Sequence, residues 1–117
     1  APTVVIKDGK PWIVTGSPGG PTISTTILQI VSNVVDYGMT VEQSVAAPRI
    51  HYQGLPNIVV TEPFALKPAV VQSLWEKGYR VIPLPGWGAA ESILIGQDST
   101  FHGANDPRKP VGQATGY

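Results

Sequence analysis

The chain has 117 residues, of which 42% are hydrophobic and 14% charged, with eight basic and eight acidic side chains. This length allows one compact domain, and the balanced charge without a basic cluster argues against nucleic acid or an anionic membrane as a partner. The sequence contains no cysteine, which excludes disulfides and thiolate metal sites. Because an average globular domain carries about 25% charged residues, the low charge predicts that part of the surface is buried against another chain segment.

The first two predicted strands form a hairpin. Residues 3–7 and 11–15 are rich in apolar and β-branched side chains, and Asp8-Gly9 between them is a strong two-residue turn signal. Pro11 predicts an edge position or a bulge, because proline has no N–H to donate to a strand ladder. The apolar runs are continuous rather than alternating, which predicts that both faces of these strands are covered.

Three helices are predicted. The first runs from about Pro21 to Tyr37, with a proline in its first turn and one apolar stripe at helical spacing. The second begins at a capping box formed by Thr40 and Gln43, and the third runs from Pro68 to Lys77. Further extended segments are expected at 50–53, 58–61, 80–82, 91–96 and 100–103. The sum is an α+β piece with roughly six short strands, packed in layers.

The stretch Thr15–Thr22 is the main candidate site. Its Gly-x-x-Gly-Gly sequence joins an apolar strand to the start of the longest helix. Adjacent glycines allow positive φ and close approach to the backbone, and a helix start adds unsatisfied N–H groups. Such a turn suits an anion, or an oxygen that becomes one during a reaction. A tight connection without any ligand is the alternative, and the phosphate-loop and dinucleotide glycine patterns are both absent.

Other candidate chemistry is weak. Ser17 lacks the Gly-x-Ser-x-Gly setting of a nucleophile elbow, and His51 and His102 are typical of packed, hydrogen-bonded histidines rather than bases or metal ligands. The charges of Arg49 and of Asp106-Pro107-Arg108 stand in apolar surroundings, which favours a structural salt bridge or backbone capping. The residues alone therefore predict an anion-stabilising turn and no convincing nucleophile.

Several motifs occur in the order in which one enzyme family has them. They are Val14–Gly20 followed by a threonine-rich helix, Asp36-Tyr37-Gly38, Ala47–His51, Asp106-Pro107-Arg108 and the ending Thr115-Gly116-Tyr117. This succession resembles the γ-glutamyltransferases (γ-glutamyltranspeptidases), and residues 1–117 are similar to a single segment, the C-terminal portion of the small subunit.

The resemblance implies a fold and a chemistry. The family belongs to the N-terminal-nucleophile hydrolases, which form a four-layer αββα sandwich with mostly antiparallel sheets. Their proenzyme cleaves itself to expose a threonine. That threonine attacks a γ-glutamyl amide such as that of glutathione, and the acyl-enzyme passes to water or to an acceptor. By the family pattern, the backbone N–H groups of Gly19 and Gly20 form the oxyanion hole. No cofactor is expected, and a periplasmic or extracellular location is favoured.

The resemblance also implies that other residues of the active site lie outside this chain. The nucleophilic threonine and a Ser-Ser pair that binds the substrate α-carboxylate are expected upstream of this chain, so we expect the chain to be inactive alone. Its expected partner is the rest of its own proenzyme, namely the large subunit and the N-terminal part of the small subunit. A sandwich half exposes the face that its partner sheet should cover, so we expect the isolated chain to self-associate.

Two other functions stay open at this point. Pro21-Thr22 stands where many family members have Ser-Arg, which keeps open a cephalosporin-acylase-like enzyme or another amidohydrolase on the same scaffold. A non-catalytic domain that binds an anion or a partner through the glycine turn is the third reading.

Overall fold

The computed structural model describes residues 2–116, which form seven strands, three α-helices and one 3₁₀ turn. The strands are β1 (Thr3–Lys7), β2 (Lys10–Gly16), β3 (Ile50–His51), β4 (Ile58–Thr61), β5 (Arg80–Pro83), β6 (Glu91–Ile95) and β7 (Phe101–Ala104). The helices are α1 (Ile23–Val35), α2 (Val41–Ala46) and α3 (Pro68–Glu76), and the 3₁₀ turn is Gly20–Thr22. The α+β class, the three helices and the mostly antiparallel pairing predicted from the sequence are confirmed.

The larger sheet has four strands in the order β1-β2-β6-β7, and every pair in it is antiparallel. Asp8 and Gly9 have φ of 51° and 74°, so the predicted hairpin closes through a turn with two positive φ values. Of the two alternatives predicted from Pro11, the edge position does not occur, because β2 lies between β1 and β6. The bulge is confirmed, since the pairing register shifts beside this proline. Its missing N–H costs no bond to β6, where pairing begins only at Ile13.

Helices α1 and α2 cover one face of this sheet. Helix α1 begins at Ile23 rather than at Pro21, because the glycine turn first enters a 3₁₀ turn whose Gly20 carbonyl accepts the Ile23 N–H. The capping box of α2 is present as predicted, with Thr40 and Gln43 each bonded to the backbone of the other. The core between helices and sheet contains Ile30, Val41, Val45, Ala90 and Ala104, with Leu94 packed against it.

The opposite face of the larger sheet is uncovered in the described chain. Val4, Val14 and Ile93 are paired across β1, β2 and β6 in one row of that face. Val4 and Ile93 are 52% and 41% exposed, and Phe101 on β7 is 72% exposed. Because the two helices lie on one side only, residues 2–116 do not by themselves cover both faces of these strands, and cover on this second face stays a prediction.

The smaller sheet has the order β3-β4-β5. Strands β3 and β4 are antiparallel, whereas β4 and β5 are parallel and are joined through α3. Helix α3 packs against β5, yet Val70 and Trp75 on its apolar side are 43% and 62% exposed. No helix among the described residues is long and apolar enough to cross a membrane.

Candidate functional site

The glycine turn links the end of β2 to the 3₁₀ turn before α1. Gly19 has φ of 143° and Gly20 has φ of 56°, a backbone region that L side chains rarely occupy. A Cβ on Gly19 would lie 2.6 Å from Oγ1 of Thr22, whereas a Cβ on Gly20 would meet nothing within 4 Å. Glycine is thus required by space and by φ at the first position and by φ alone at the second.

The two glycines contribute consecutive backbone N–H groups at the surface of the turn. Both residues are exposed, and neither N–H donates a hydrogen bond to any residue of the described range 2–116. The dipole of the helix that follows adds partial positive charge at this point. Two free N–H groups beside a helix start can bind an anion or stabilise an oxyanion. That Gly19 and Gly20 serve as an oxyanion hole stays a prediction at this stage.

A loop preceding β6 packs against the glycine turn. The Ala89 N–H donates to Oγ of Ser17 at 3.2 Å, and the same hydroxyl donates to the Pro18 carbonyl at 2.7 Å. A Cβ on Gly88 would lie 2.9 Å from this hydroxyl, so glycine permits the close approach. Since the Ser17 hydroxyl donates its proton to a backbone carbonyl, it is not poised as a nucleophile.

A buried ionic cluster lies behind this loop. Arg49 and Asp106 are 2% and 0% exposed, and the Arg49 Nη2 lies 2.8 Å from Oδ2 of Asp106. Arg108 donates to Oδ1 of Asp106 at 3.1 Å and is also paired with Glu62. The salt bridge predicted for Arg49 and the Asp106-Pro107-Arg108 segment is confirmed. The sequence did not single out Glu62, which is separated from Arg108 by 46 positions.

The cluster holds the loop that contacts Ser17. Nη1 of Arg49 donates to the Trp87 carbonyl at 2.7 Å, and the Ala90 N–H donates to Oδ2 of Asp106 at 2.7 Å. One buried ion pair therefore fixes both ends of a four-residue loop whose middle touches the glycine turn.

The protonation of the cluster follows from opposing effects. Burial raises the pKa of Asp106, but hydrogen bonds from two backbone N–H groups and from Arg49 outweigh it and hold the pKa below its ordinary 3.8. Burial likewise raises the pKa of Glu62, and bonds from Arg108 and from the Arg49 N–H bring it below its ordinary 4.5. Burial lowers the pKa of Arg49, but an arginine remains charged in proteins. Both carboxylates are therefore ionised at neutral pH.

The two histidines differ in their surroundings. His51 is 7% exposed, with Nδ1 2.8 Å from Oγ1 of Thr25 and Nε2 3.3 Å from Oε1 of Gln53. It is a packed, hydrogen-bonded residue, as predicted. His102 is exposed and contacts Thr100 at 3.1 Å, so the prediction of a packed residue is wrong there because β7 is an edge strand. No group of three His, Asp or Glu side chains within residues 2–116 is arranged to hold a metal ion.

A cavity of about 880 Å³ opens beside the turn. Ser17, Pro18 and Ile23 line it on the side of the turn, and Ile93 and residues 113–116 line it elsewhere. Gly19 and Gly20 are not among its lining residues. The cavity thus extends over the uncovered face of the sheet and reaches the start of the turn.

The family model described as gamma-glutamyltranspeptidase matches residues 1–117. The chain belongs to the γ-glutamyltranspeptidase family. It is 44% identical to the glutathione hydrolase proenzyme of Escherichia coli K12 over all of its length, and it spans 20% of that proenzyme. It is 31% identical to the Acylase ACY 1 proenzyme of Pseudomonas sp. strain SE83, over 89% of this chain and 18% of the acylase.

A solved structure of the family has the same fold. The γ-glutamyltranspeptidase T380A mutant of Helicobacter pylori superposes with a TM-score of 0.86 at 40% identity, covering 93% of this chain and 60% of the other. The γ-glutamyltranspeptidase fold of the chain is therefore shown by sequence and by structure. The chain spans about a fifth of the length of the curated relatives that it matches.

Replacing Asp106 tests the ionic cluster. In Asp106→Asn, Arg49 is buried without its counter-charge, so we expect the free energy of unfolding at pH 7 to fall by about 3–5 kcal/mol. The pKa values of Asp106 and Glu62 are depressed in the folded state. In the unmodified protein, the two carboxylates therefore stabilise the fold fully above pH 4.5, and this stabilisation is lost as the pH falls below 3.8. The free energy of unfolding of the Asn variant should depend less on pH over this acid range, and urea unfolding at several pH values measures this dependence.

The exposed carboxylate of Glu76 provides the matched control. Glu76→Gln should change the free energy of unfolding by less than about 0.5 kcal/mol. An Asp106→Asn variant as stable as Glu76→Gln, with an unchanged acid dependence, would contradict the assignment of this cluster.

Proposed function

We propose that the chain is the C-terminal part of the small subunit of a γ-glutamyltranspeptidase that acts on γ-glutamyl amides such as glutathione. In this proposal the N–H groups of Gly19 and Gly20 form the oxyanion hole. The observation that carries the proposal is that the consecutive N–H groups of two exposed glycines have no acceptor among residues 2–116, in a turn that matches the family's motif. The family membership supports the reaction class.

The proposed chemistry is acyl transfer. The nucleophilic threonine, contributed by the remainder of the enzyme, adds to the amide carbonyl, and the carbonyl oxygen becomes an oxyanion. Donors that are already in place stabilise that charge at the moment it forms, and one such donor contributes about 10²–10³ in rate. The C–N bond then breaks, the amine leaves with a proton, and the acyl-enzyme is attacked by water or by an acceptor amine. No cofactor enters these steps.

The proposed partner is the rest of the same proenzyme. The uncovered face of the larger sheet exposes apolar side chains, including Val4, Ile93 and Phe101. In a four-layer sandwich this face packs on a second sheet, so the uncovered face accounts for the low charge of the chain. The nucleophile and the α-carboxylate-binding serines belong to that partner, and the chain alone is inactive.

The second candidate function is a cephalosporin-acylase-like enzyme or another amidohydrolase on the same scaffold, whose substrate is an amide other than a γ-glutamyl one. The sequence identity to the Acylase ACY 1 proenzyme supports this candidate. An oxyanion hole can also stabilise the oxyanion formed from amides of other classes. Rates with a γ-glutamyl anilide and with the corresponding glutaryl anilide, which lacks the α-amino group, distinguish the two classes. A non-catalytic anion-binding role is the remaining alternative, and loss of turnover in variants of the turn would exclude it.

Valine at Gly20 tests the oxyanion hole in the full enzyme. A Cβ there has open space, so Gly20→Val acts by driving φ away from 56° and turning the N–H. We expect kcat to fall about a hundredfold or more, with a smaller change in KM, in steady-state assays of a γ-glutamyl anilide. Gly19→Val should be at least as damaging, because its Cβ also collides with Thr22.

Gly9 is the matched control for backbone strain. It has φ of 74° and also has nothing within 4 Å of a built Cβ, but it lies in the β1–β2 hairpin. Gly9→Val should lower the melting temperature and leave kcat within about twofold, since distant sites act independently. Equal turnover in Gly20→Val and Gly9→Val would refute the proposed oxyanion hole.

The uncovered sheet face predicts the behaviour of the isolated chain. Because contiguous exposed apolar surface drives association, we expect the 117-residue chain to sediment as dimers or larger species at micromolar concentration. Replacing Ile93 and Phe101 by threonine should shift the distribution towards the monomer. An unmodified chain that sediments as a single monomeric species would contradict this prediction.

A further inference from the structure

Each proposed oxyanion donor shares a peptide plane with a carbonyl on the opposite side. The Gly19 N–H lies in one plane with the Pro18 carbonyl, and the Gly20 N–H with the Gly19 carbonyl. Both peptide bonds are trans, since the only cis bond in the described range precedes Pro56. In a trans peptide the C=O and N–H point in opposite directions within a rigid plane. Whatever fixes the carbonyl therefore also fixes the direction of the N–H.

A side-chain hydroxyl fixes the first carbonyl. Oγ of Ser17 donates to the Pro18 carbonyl at 2.7 Å and accepts the Ala89 N–H at 3.2 Å. Ser17 is 5% exposed, so water competes little for these bonds. The loop residue Gly88 also lies close, because a Cβ built on it would be 3.6 Å from the Pro18 carbonyl oxygen. The orientation of the Gly19 N–H is thus connected through Ser17 to the loop that the ionic cluster holds.

A second hydroxyl fixes the second carbonyl. Oγ1 of Thr22 donates to the Gly19 carbonyl at 2.9 Å, and the Thr22 N–H donates to the same oxygen at 3.2 Å. The contact is tight, since a Cβ on Gly19 would lie 2.6 Å from Oγ1 of Thr22. The preceding Pro21 has a restricted φ, which limits how far this short loop can open. The Gly20 N–H is thereby directed away from α1.

We propose that Ser17 and Thr22 are positioning residues for the oxyanion hole, each hydroxyl orienting one of the two N–H donors through the carbonyl of the same peptide. This inference rests on the proposed function of Gly19 and Gly20. A hydrogen bond to the carbonyl also polarises the peptide, which makes its N–H a stronger donor. The proposal gives the two hydroxyl residues that flank the two glycines a shared role, since each bonds to the carbonyl of one donor peptide.

The competing explanation is purely structural. Serine and threonine hydroxyls often bond to nearby backbone groups in turns and helix starts, where they contribute only to stability. Under that explanation, loss of either hydroxyl lowers the melting temperature and leaves the chemical step unchanged. The two explanations differ in kcat and in the binding of a tetrahedral ligand, which depend on where the N–H groups point.

The test removes one hydroxyl at a time in the full enzyme. Ser17→Ala and Thr22→Val should each lower kcat about tenfold, with KM within about twofold, since one net hydrogen bond corresponds to roughly 2- to 13-fold. Turnover is normalised to autocleaved enzyme, so that a processing defect is not counted as a catalytic one. Affinity for a tetrahedral boronate analogue of the acyl group should fall in parallel with kcat. Thr22→Ser keeps the hydroxyl and should restore kcat to within about twofold of the unmodified enzyme.

Two matched controls remove hydroxyls that do not touch the turn. Thr26 lies four positions after Thr22, is fully buried, and has no hydrogen-bond partner for its hydroxyl among the described residues. Ser44 is buried and donates to the Ile30 carbonyl at 2.7 Å. Thr26→Val and Ser44→Ala change stability and should leave kcat and boronate affinity within about twofold, because neither bonds to a turn carbonyl.

The outcomes separate this inference from the proposed function. If Gly20→Val loses turnover but Ser17→Ala and Thr22→Val match the controls, the positioning role is refuted and the oxyanion hole stands. If Gly20→Val keeps turnover, the oxyanion hole is refuted and the positioning role with it. If Ser17→Ala fails to fold, the Thr22→Val and Thr22→Ser pair decides, because Thr22 is only partly buried. Parallel losses of kcat and boronate affinity that Thr22→Ser reverses support the inference.

Discussion

The buried ion pair between Arg49 and Asp106 is the interaction on which the geometry of the site depends. It joins the end of α2 to the segment after β7, and the same two side chains bind the carbonyl of Trp87 and the N–H of Ala90. The loop between those two residues then contacts Ser17 and the glycine turn. Buried ion pairs contribute little net stability against apolar alternatives, but they are costly to break. A cluster of this kind therefore fixes one arrangement of three distant chain segments.

The second constraint is the one-sided burial of the larger sheet. Helices α1 and α2 cover the face that contains Ile13 and Thr15, and the row that contains Val4 and Ile93 has no cover among the described residues. The glycine turn lies at the end of β2, where the uncovered face and the start of α1 meet. In the proposed function, the two N–H donors at this position act on a group that the rest of the enzyme holds.

Sequence patterns that act within a few residues were sufficient to predict turns and helix starts. Asp8-Gly9 and the Thr40–Gln43 capping box act within a few residues, and both are present in the fold. Features that depend on contacts between residues far apart in the sequence could not be predicted from such patterns. The position of β2 inside its sheet, which decides between an edge position and a bulge at Pro11, depends on β6. Glu62 joins the ionic cluster only because the fold brings it to Arg108. The bonds from the Ser17 and Thr22 hydroxyls to the carbonyls of the glycine turn depend on the conformation of that turn, which its residue types do not specify.

The proposed role of the Gly20 N–H is to stabilise an oxyanion, and removal of this donor tests that role. Replacing Gly20 by glycolic acid in the full enzyme converts the amide to an ester and deletes one donor without adding a side chain. We expect kcat to fall about 10²–10³-fold at nearly constant KM, while the same replacement at Gly9 leaves turnover unchanged. An undiminished kcat in the Gly20 ester would refute the proposed oxyanion hole.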